Sequence, residues 1–319
     1  MARHFRTDRP TASICAFLIC AALLAGLAHA QVAAPATPRP FGTPAPTNQA
    51  PARDVPVVEK KFEELSNTDL SDIGKKALLI NATEWKHAET PNFIMHFRRL
   101  TEARKVAREV EYNLWFIATA LGATKERYQR KSHVYVFENE DEWKQYLTMT
   151  DVPNWSASFA RGDELYLNVR HEGAGGNFDS GTLAHETAHA VVARLFPRTR
   201  WPLWLNEGFA EYMGGASVAA RKGQTAKRYQ SRLQLAEMPL STLESLTKYP
   251  ADPDQVAQLY QSSEKFIRFL MNELPKERIV KFIEAVLNGH SMQMAVLEVY
   301  GDKIKDWRTF EKRYARFNK

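Results

Sequence analysis

Two short stretches of this chain, HETAH at residues 185–189 and WLNEGFAEY at residues 204–212, constrain its fold more than any other feature. Apolar residues around HETAH recur with a period of about 3.6 residues, and Pro197 follows them. This pattern predicts a helix that is capped by Ser180 or Thr182 and ends before the proline.

On such a helix, His185 and His189 lie one turn apart on the same face. Two imidazoles in this arrangement can bind one metal ion, and Glu186 then lies beside an open coordination position. Three fixed positions in five residues also occur by chance, so a helix with two ordinary histidines stays open from this stretch alone.

The second stretch supplies the carboxylate that a zinc site with two histidines and one glutamate requires. Pro197 and Pro202 turn the chain back, and residues 203–213 are predicted to form a helix on which Glu207 and Glu211 lie one turn apart. One of these carboxylates can bind the metal while the other accepts a hydrogen bond from the far nitrogen of a ligand histidine. The alternative is a solvated acidic face, but the neighbouring tryptophans and glycines favour burial.

The N-terminus has the pattern of a bacterial secretory signal peptide over residues 1–30, with three arginines, an apolar run over residues 12–27 and the sequence Ala-His-Ala. The apolar run is shorter than the roughly 20 residues that a membrane anchor needs, so we expect cleavage before Gln31 and no stable membrane insertion afterwards. The predicted location is the periplasm or the extracellular space. Cleavage removes both cysteines, Cys15 and Cys20, so no disulfide is available to the mature chain.

Residues 31–56 contain seven prolines and few large apolar side chains, which predicts a flexible linker. Strands are predicted at residues 92–97, 133–137 and 164–169, the last of them at a sheet edge, and helices at residues 101–121, 139–148, 265–274 and 277–287. The sequence therefore predicts an α+β fold, with an α/β subdomain over residues 57–219 and a mainly helical subdomain over residues 220–319.

The formal net charge of +6 is mild. No cluster of basic residues with interleaved aromatics is present, so the sequence does not favour nucleic-acid binding. The oligomeric state cannot be read from these features.

The motifs TLAHETAHAVV and WPLWLNEGFAEY resemble those of the gluzincin metallopeptidases, and within them the peptidase MA-like group of exported bacterial proteins. TPNFIMHF, VYVFENEDEWKQYL, MPLSTLESL and YQSSEKFIRFL are also similar to this group, so the resemblance spans roughly residues 83–315. It implies a zincin-like fold and one Zn²⁺ per chain, with His185, His189 and Glu207 as ligands and Glu186 as catalytic base. It also implies that Glu211 is the second carboxylate, the one that does not bind the metal.

The resemblance extends to one tyrosine and is limited by two missing motifs. In gluzincin aminopeptidases a tyrosine that opens a later helix stabilises the oxyanion, and Tyr260 begins a similar helix. Packing at a helix end is the alternative for this tyrosine, and His171 is the next candidate for the donor. No third histidine ligand follows at metzincin spacing, and the Gly-x-Met-Glu-Asn motif for a substrate's free amine is absent from the sequence.

The leading functional prediction is an exported zinc endopeptidase that acts on a peptide or protein substrate. A zincin-fold protein that binds peptide or cell wall without catalysis is the alternative, against which the intact Glu186 argues. A scaffold protein that uses the proline-rich linker is a third hypothesis without specific support.

Overall fold

The computed structural model describes residues 50–51, 54–154, 156–170, 180–224 and 235–317. The predicted signal peptide and most of the predicted linker lie outside these residues, as does His171. In the described part of the chain, no helix combines the length and the apolar character needed to cross a bilayer. The fold is α+β, as predicted, with a sheet in the N-terminal part and helices after it.

Six strands form one mixed sheet in the order β1-β2-β3-β4-β6-β5. The strands are β1 (Val58–Lys60), β2 (Lys86–Glu89), β3 (Phe93–Phe97), β4 (Ser132–Phe137), β5 (Ser158–Arg161) and β6 (Glu164–Asn168). Strands β3, β4 and β6 are parallel to one another, and the other pairings are antiparallel. The three strands predicted from sequence are confirmed as β3, β4 and β6.

The predicted edge position of residues 164–169 is wrong, because β6 lies between β4 and β5. The chain reverses at Gly162, whose φ of 60° is a left-handed conformation that glycine adopts without strain. This turn places the short strand β5 antiparallel to β6, so β5 is the outermost strand on that side.

Ten α-helices are present in the described residues. They are α1 (Asp72–Leu79), α2 (Leu100–Ala120), α3 (Glu140–Thr148), α4 (Ser180–Leu195), α5 (Leu203–Arg221), α6 (Leu240–Ser245), α7 (Pro253–Glu273), α8 (Ile279–Leu287), α9 (Met292–Tyr300) and α10 (Trp307–Arg316). Every helix predicted from sequence is confirmed. The predicted cap of α4 is wrong, because Ser180 and Thr182 both lie within the helix.

The two faces of the sheet support two separate hydrophobic clusters, since side chains alternate along each strand. On β4, Val134 and Val136 face the larger cluster, which includes α2, α4, α5 and the later helices. Tyr135 and Phe137 face the smaller cluster, which includes side chains of α1 and α3. The sheet is therefore covered by helices on both faces.

Helix α5 packs between α4 and α7, and two of its glycines permit the close approach. A Cβ atom at Gly214 would lie 2.9 Å from the backbone nitrogen of His185 in α4. A Cβ atom at Gly208 would overlap the carbonyl oxygen of Ser263 in α7. These contacts bring α5 directly against the helix that carries HETAH. Because α5 continues to Arg221, it crosses the proposed boundary between subdomains, and that boundary stays a prediction.

Candidate metal centre

The histidines of HETAH lie on the face of α4 that α5 covers. His185 and His189 are one helical turn apart, and their Nε2 atoms are 3.0 Å from each other. The two rings are nearly perpendicular, at 82°. His185 is buried, whereas His189 is partly exposed. The helix period therefore directs both imidazole nitrogens toward one point, as the sequence indicates.

Helix α5 brings a carboxylate to the same point. Oε2 of Glu207 lies 3.5 Å from Nε2 of His185 and 3.5 Å from Nε2 of His189. Glu207 is buried, with 1% of its surface exposed. The three atoms form a compact triangle, with two corners supplied by α4 and the third by α5.

The donor set and its dimensions fit a zinc ion. A tetrahedral zinc with bonds of about 2.1 Å separates its ligand atoms by about 3.4 Å, close to the three distances in the triangle. Among the described residues, one group of three His, Cys, Asp or Glu side chains has ligand atoms that all lie within 4.8 Å of one another. Its members are His185, His189 and Glu207. No described residue donates a hydrogen bond to Oε2 of Glu207. A buried carboxylate oxygen without a donor requires a cation, and two histidine nitrogens already face it.

Glu211 lies behind the first histidine. Its Oε1 is 3.3 Å from Nδ1 of His185, on the side of the ring opposite the triangle. A proton on Nδ1 directed to this carboxylate leaves the lone pair of Nε2 available to a metal. The spacing of Glu207 and Glu211 on α5 thus gives the two carboxylates different positions around His185.

Glu186, also on α4, is 2% exposed and is close enough to the triangle that the charges of both histidines and Glu207 act on it. The backbone N–H of Ala160 in β5 lies near this carboxylate and opposes the rise of its pKa. Its Oε1 accepts no hydrogen bond from any residue that the structure describes. Oε1 of Glu186 is therefore available to accept a proton.

The model of the Peptidase MA superfamily matches residues 117–315. This chain belongs to the Peptidase MA superfamily. The match includes α4, α5 and α7, the three helices that form the site, but begins after the opening strands of the sheet. No match was found among curated proteins. Peptidase MA proteins are typically metal-dependent, and the family supports a peptidase-type hydrolase for this chain.

The charges of this Peptidase MA site shift the pKa values of its side chains in opposite directions. Burial lowers the pKa of His185, but the nearby carboxylates of Glu207 and Glu211 outweigh it and raise the pKa well above its ordinary value. Burial raises the pKa of Glu207, but the two histidines hold it well below its ordinary value. Burial also raises the pKa of Glu186, against the opposing effect of the histidines. The negative charge of these carboxylates thus favours a cation at the triangle.

Two tyrosines lie beside the site, and the sequence analysis predicts only one of them. Tyr260, in the third turn of α7 and not at its start, is 8% exposed, with its ring 6.1 Å from the ring of His185. Its ring lies 6.4 Å from that of Tyr249, which lies between α6 and α7. The hydroxyl of Tyr249 donates to Oε1 of Glu207 at 2.6 Å. Tyr249 was missed because no motif surrounds it and its position depends on how the segment between α6 and α7 packs on α5.

Proposed function

We propose that this Peptidase MA protein is an exported zinc-dependent endopeptidase. The observation that carries the proposal is the triangle of His185, His189 and Glu207, whose distances and unpaired carboxylate oxygen suit one zinc ion. We assign these three residues as ligands and Glu211 as the carboxylate that orients His185. This assignment is the one that the resemblance to gluzincins implies.

A zinc ion bound there would lower the pKa of a water molecule and polarise the scissile carbonyl group. Glu186 is placed to take the proton of that water on its free Oε1 and to pass it to the leaving amine. Its raised pKa suits this shuttle, because a carboxylate with a pKa nearer the working pH can both accept and return a proton. Tyr260 supplies a hydroxyl near the same point, and we assign it as the donor to the oxyanion.

Strand β5 is the element on which we expect the substrate to bind. The N–H of Asn168 bonds to the carbonyl of Ala157, so the alternation of an antiparallel ladder turns the backbone groups of Ser158 and Ala160 away from β6. No described strand pairs with that outer side. An extended peptide that adds to this edge would lie beside Glu186, because the backbone of Ala160 is close enough to influence the pKa of this carboxylate.

Export is supported by the sequence of residues 1–30, and a peptide or protein in the periplasm or outside the cell is the corresponding substrate class. The absence of the Gly-x-Met-Glu-Asn motif from the sequence supports an endopeptidase over an aminopeptidase.

The test is cleavage of a library of quenched fluorescent peptides by the protein purified from cells that express the full-length sequence. We expect cleavage that a chelator abolishes and that added zinc restores. Glu186→Gln should keep its zinc and lose activity by at least about a hundredfold, because it cannot accept the proton. Glu311→Gln, an exposed glutamate on α10, is the matched control and should remain active.

Two results would count against the proposal. A wild-type protein that holds zinc but cleaves no peptide, in the library or in an unfolded protein substrate, would favour the non-catalytic binder. Cleavage that Glu186→Gln leaves at the wild-type rate would remove Glu186 from the role of base.

A further inference from the structure

We propose that Tyr249 is a positioning residue that restricts Glu207 to one metal-binding oxygen. The inference rests on the zinc site of the proposed function and adds a residue that the metal motifs do not contain. The two oxygens of Glu207 have different neighbours, and Tyr249 accounts for the difference.

The two oxygens of the Glu207 carboxylate have different contacts. Oε2 faces Nε2 of both histidines at 3.5 Å and accepts no hydrogen bond from the described residues. Oε1 accepts the hydroxyl of Tyr249 at 2.6 Å, and the side-chain amide of Asn206 is at 3.4 Å, near the limit for a hydrogen bond. Tyr249 is therefore the main donor that holds Oε1.

The segment that carries Tyr249 is anchored on both sides. Before it, Leu243 of α6 is fully buried in the larger hydrophobic cluster. After it, the side chain of Asp252 caps α7 by accepting from the backbone N–H groups of Asp254 and Gln255. The ring of Tyr249 also lies 6.4 Å from that of Tyr260. The hydroxyl is thus held in place before any metal binds.

The hydrogen bond from Tyr249 limits how Glu207 can bind a metal. A carboxylate with two free oxygens can bind a metal through both, whereas one engaged in a short hydrogen bond offers the other oxygen alone. Three single-atom ligands leave an open position, which a hydrolytic zinc site needs for water and substrate. Without the hydroxyl of Tyr249, Oε1 is free to join the metal or to rotate away from its present position.

The decisive variant is Tyr249→Phe, which keeps the ring and removes the hydroxyl. We expect its zinc affinity, measured by competition with a chelator, to fall by about 10- to 100-fold, the usual scale for a group that orients a ligand. The visible spectrum of the cobalt-loaded variant should also become weaker, because a second oxygen from Glu207 raises the coordination number above four. Tyr212→Phe is the matched control, since Tyr212 is a buried tyrosine on α5 whose hydroxyl lies 3.5 Å from Asn272 instead.

The outcomes separate this inference from the proposed function. A wild-type protein that binds no zinc would overturn the proposed metal site itself. A wild-type protein that binds zinc, with Tyr249→Phe identical to it in affinity and cobalt spectrum, would overturn the role of Tyr249 alone. Unchanged metal binding with a lower kcat would mean that Tyr249 acts on the substrate, which also contradicts the inference.

A second substitution covers the case in which Tyr249→Phe does not fold. Replacement of Tyr249 by 3-fluorotyrosine keeps the ring and hydroxyl and makes the hydroxyl a stronger donor. It should shift the cobalt bands, whereas the same replacement of Tyr212 should not. Bands that stay in place with fluorotyrosine at position 249 would contradict the proposal.

Discussion

Three histidines on the face of the sheet away from the metal site should make the protein unstable in mild acid. Nδ1 of His87 and Nδ1 of His96 are 2.8 Å apart, and Nε2 of His96 is 2.9 Å from Nδ1 of His133. His96 and His133 are almost completely buried. Burial lowers the pKa of His133 to about 4 and lowers those of His96 and His87 as well. All three imidazoles are therefore neutral in the folded protein at pH 7.

Acid destabilises the protein because protonation of these histidines favours the unfolded chain. An unfolded chain has histidine pKa values near 6.5, so between about pH 6.5 and pH 4 the unfolded state binds more protons than the folded state. The stability that His133 supports is fully present above about pH 6.5 and is lost as the pH falls. A pKa difference of about 2.5 for His133 corresponds to about 2.5 kcal/mol of unfolding free energy lost between pH 7 and pH 4.5.

The assay is urea unfolding followed by circular dichroism at pH 7 and pH 4.5, for the wild type and for His133→Asn. Asparagine can occupy the place of Nδ1 without acquiring a charge. The wild type should lose about 2 kcal/mol more than the variant between the two pH values. Equal losses in the two proteins, within about 0.5 kcal/mol, would refute the reasoning that His133 is buried in its neutral form.

Three further predictions concern the metal site. Gly214→Ala should lower the melting temperature and weaken zinc binding, although alanine favours a helix, because its Cβ would lie 2.9 Å from the backbone nitrogen of His185; unchanged melting and zinc affinity would contradict the close approach of α5. Glu211→Ala should reduce zinc affinity by about 10-fold or more in chelator competition. An affinity equal to that of the wild type would show that Glu211 does not orient His185. Tyr260→Phe should lower kcat by about a hundredfold with zinc content unchanged, whereas a wild-type kcat would assign Tyr260 to packing.

The sequence predicts which residues of the candidate metal site lie together, because much of their arrangement is local. His185 and His189 share a helix face by periodicity alone, and so do Glu207 and Glu211. The meeting of α4 with α5 was inferred from the chemistry of a zinc site rather than from contacts. The structure shows the packing that permits it, including the approach at Gly214.

Elements that depend on tertiary pairing were not predicted. Strand β5 has four residues, SFAR, too few to show a periodic pattern, and it is a strand because β6 provides a partner. Strand β2, with the sequence KHAE, has little intrinsic tendency to be extended and is held between β1 and β3. The alternation of residues 164–169 predicts a half-exposed strand at a sheet edge, whereas β6 is buried along its whole length.

Tyr249 shows the same limit within the functional site. It is 42 residues from Glu207 along the chain and no motif surrounds it. Its contact with the carboxylate exists only because the segment between α6 and α7 folds over α5. Tyr260, by contrast, was proposed from the resemblance to a family, and it does lie beside His185.

The most direct test of the central claim is the zinc content of the purified protein, measured by mass spectrometry after zinc loading and gentle desalting. The wild type should hold about one zinc per chain, and so should His290→Ala, in which a histidine paired with Glu298 far from the triangle is removed. His185→Ala and Glu207→Ala should hold none. A wild-type protein that is metal-free after this treatment, or one that keeps its zinc when His185 or Glu207 is removed, would contradict the metal site.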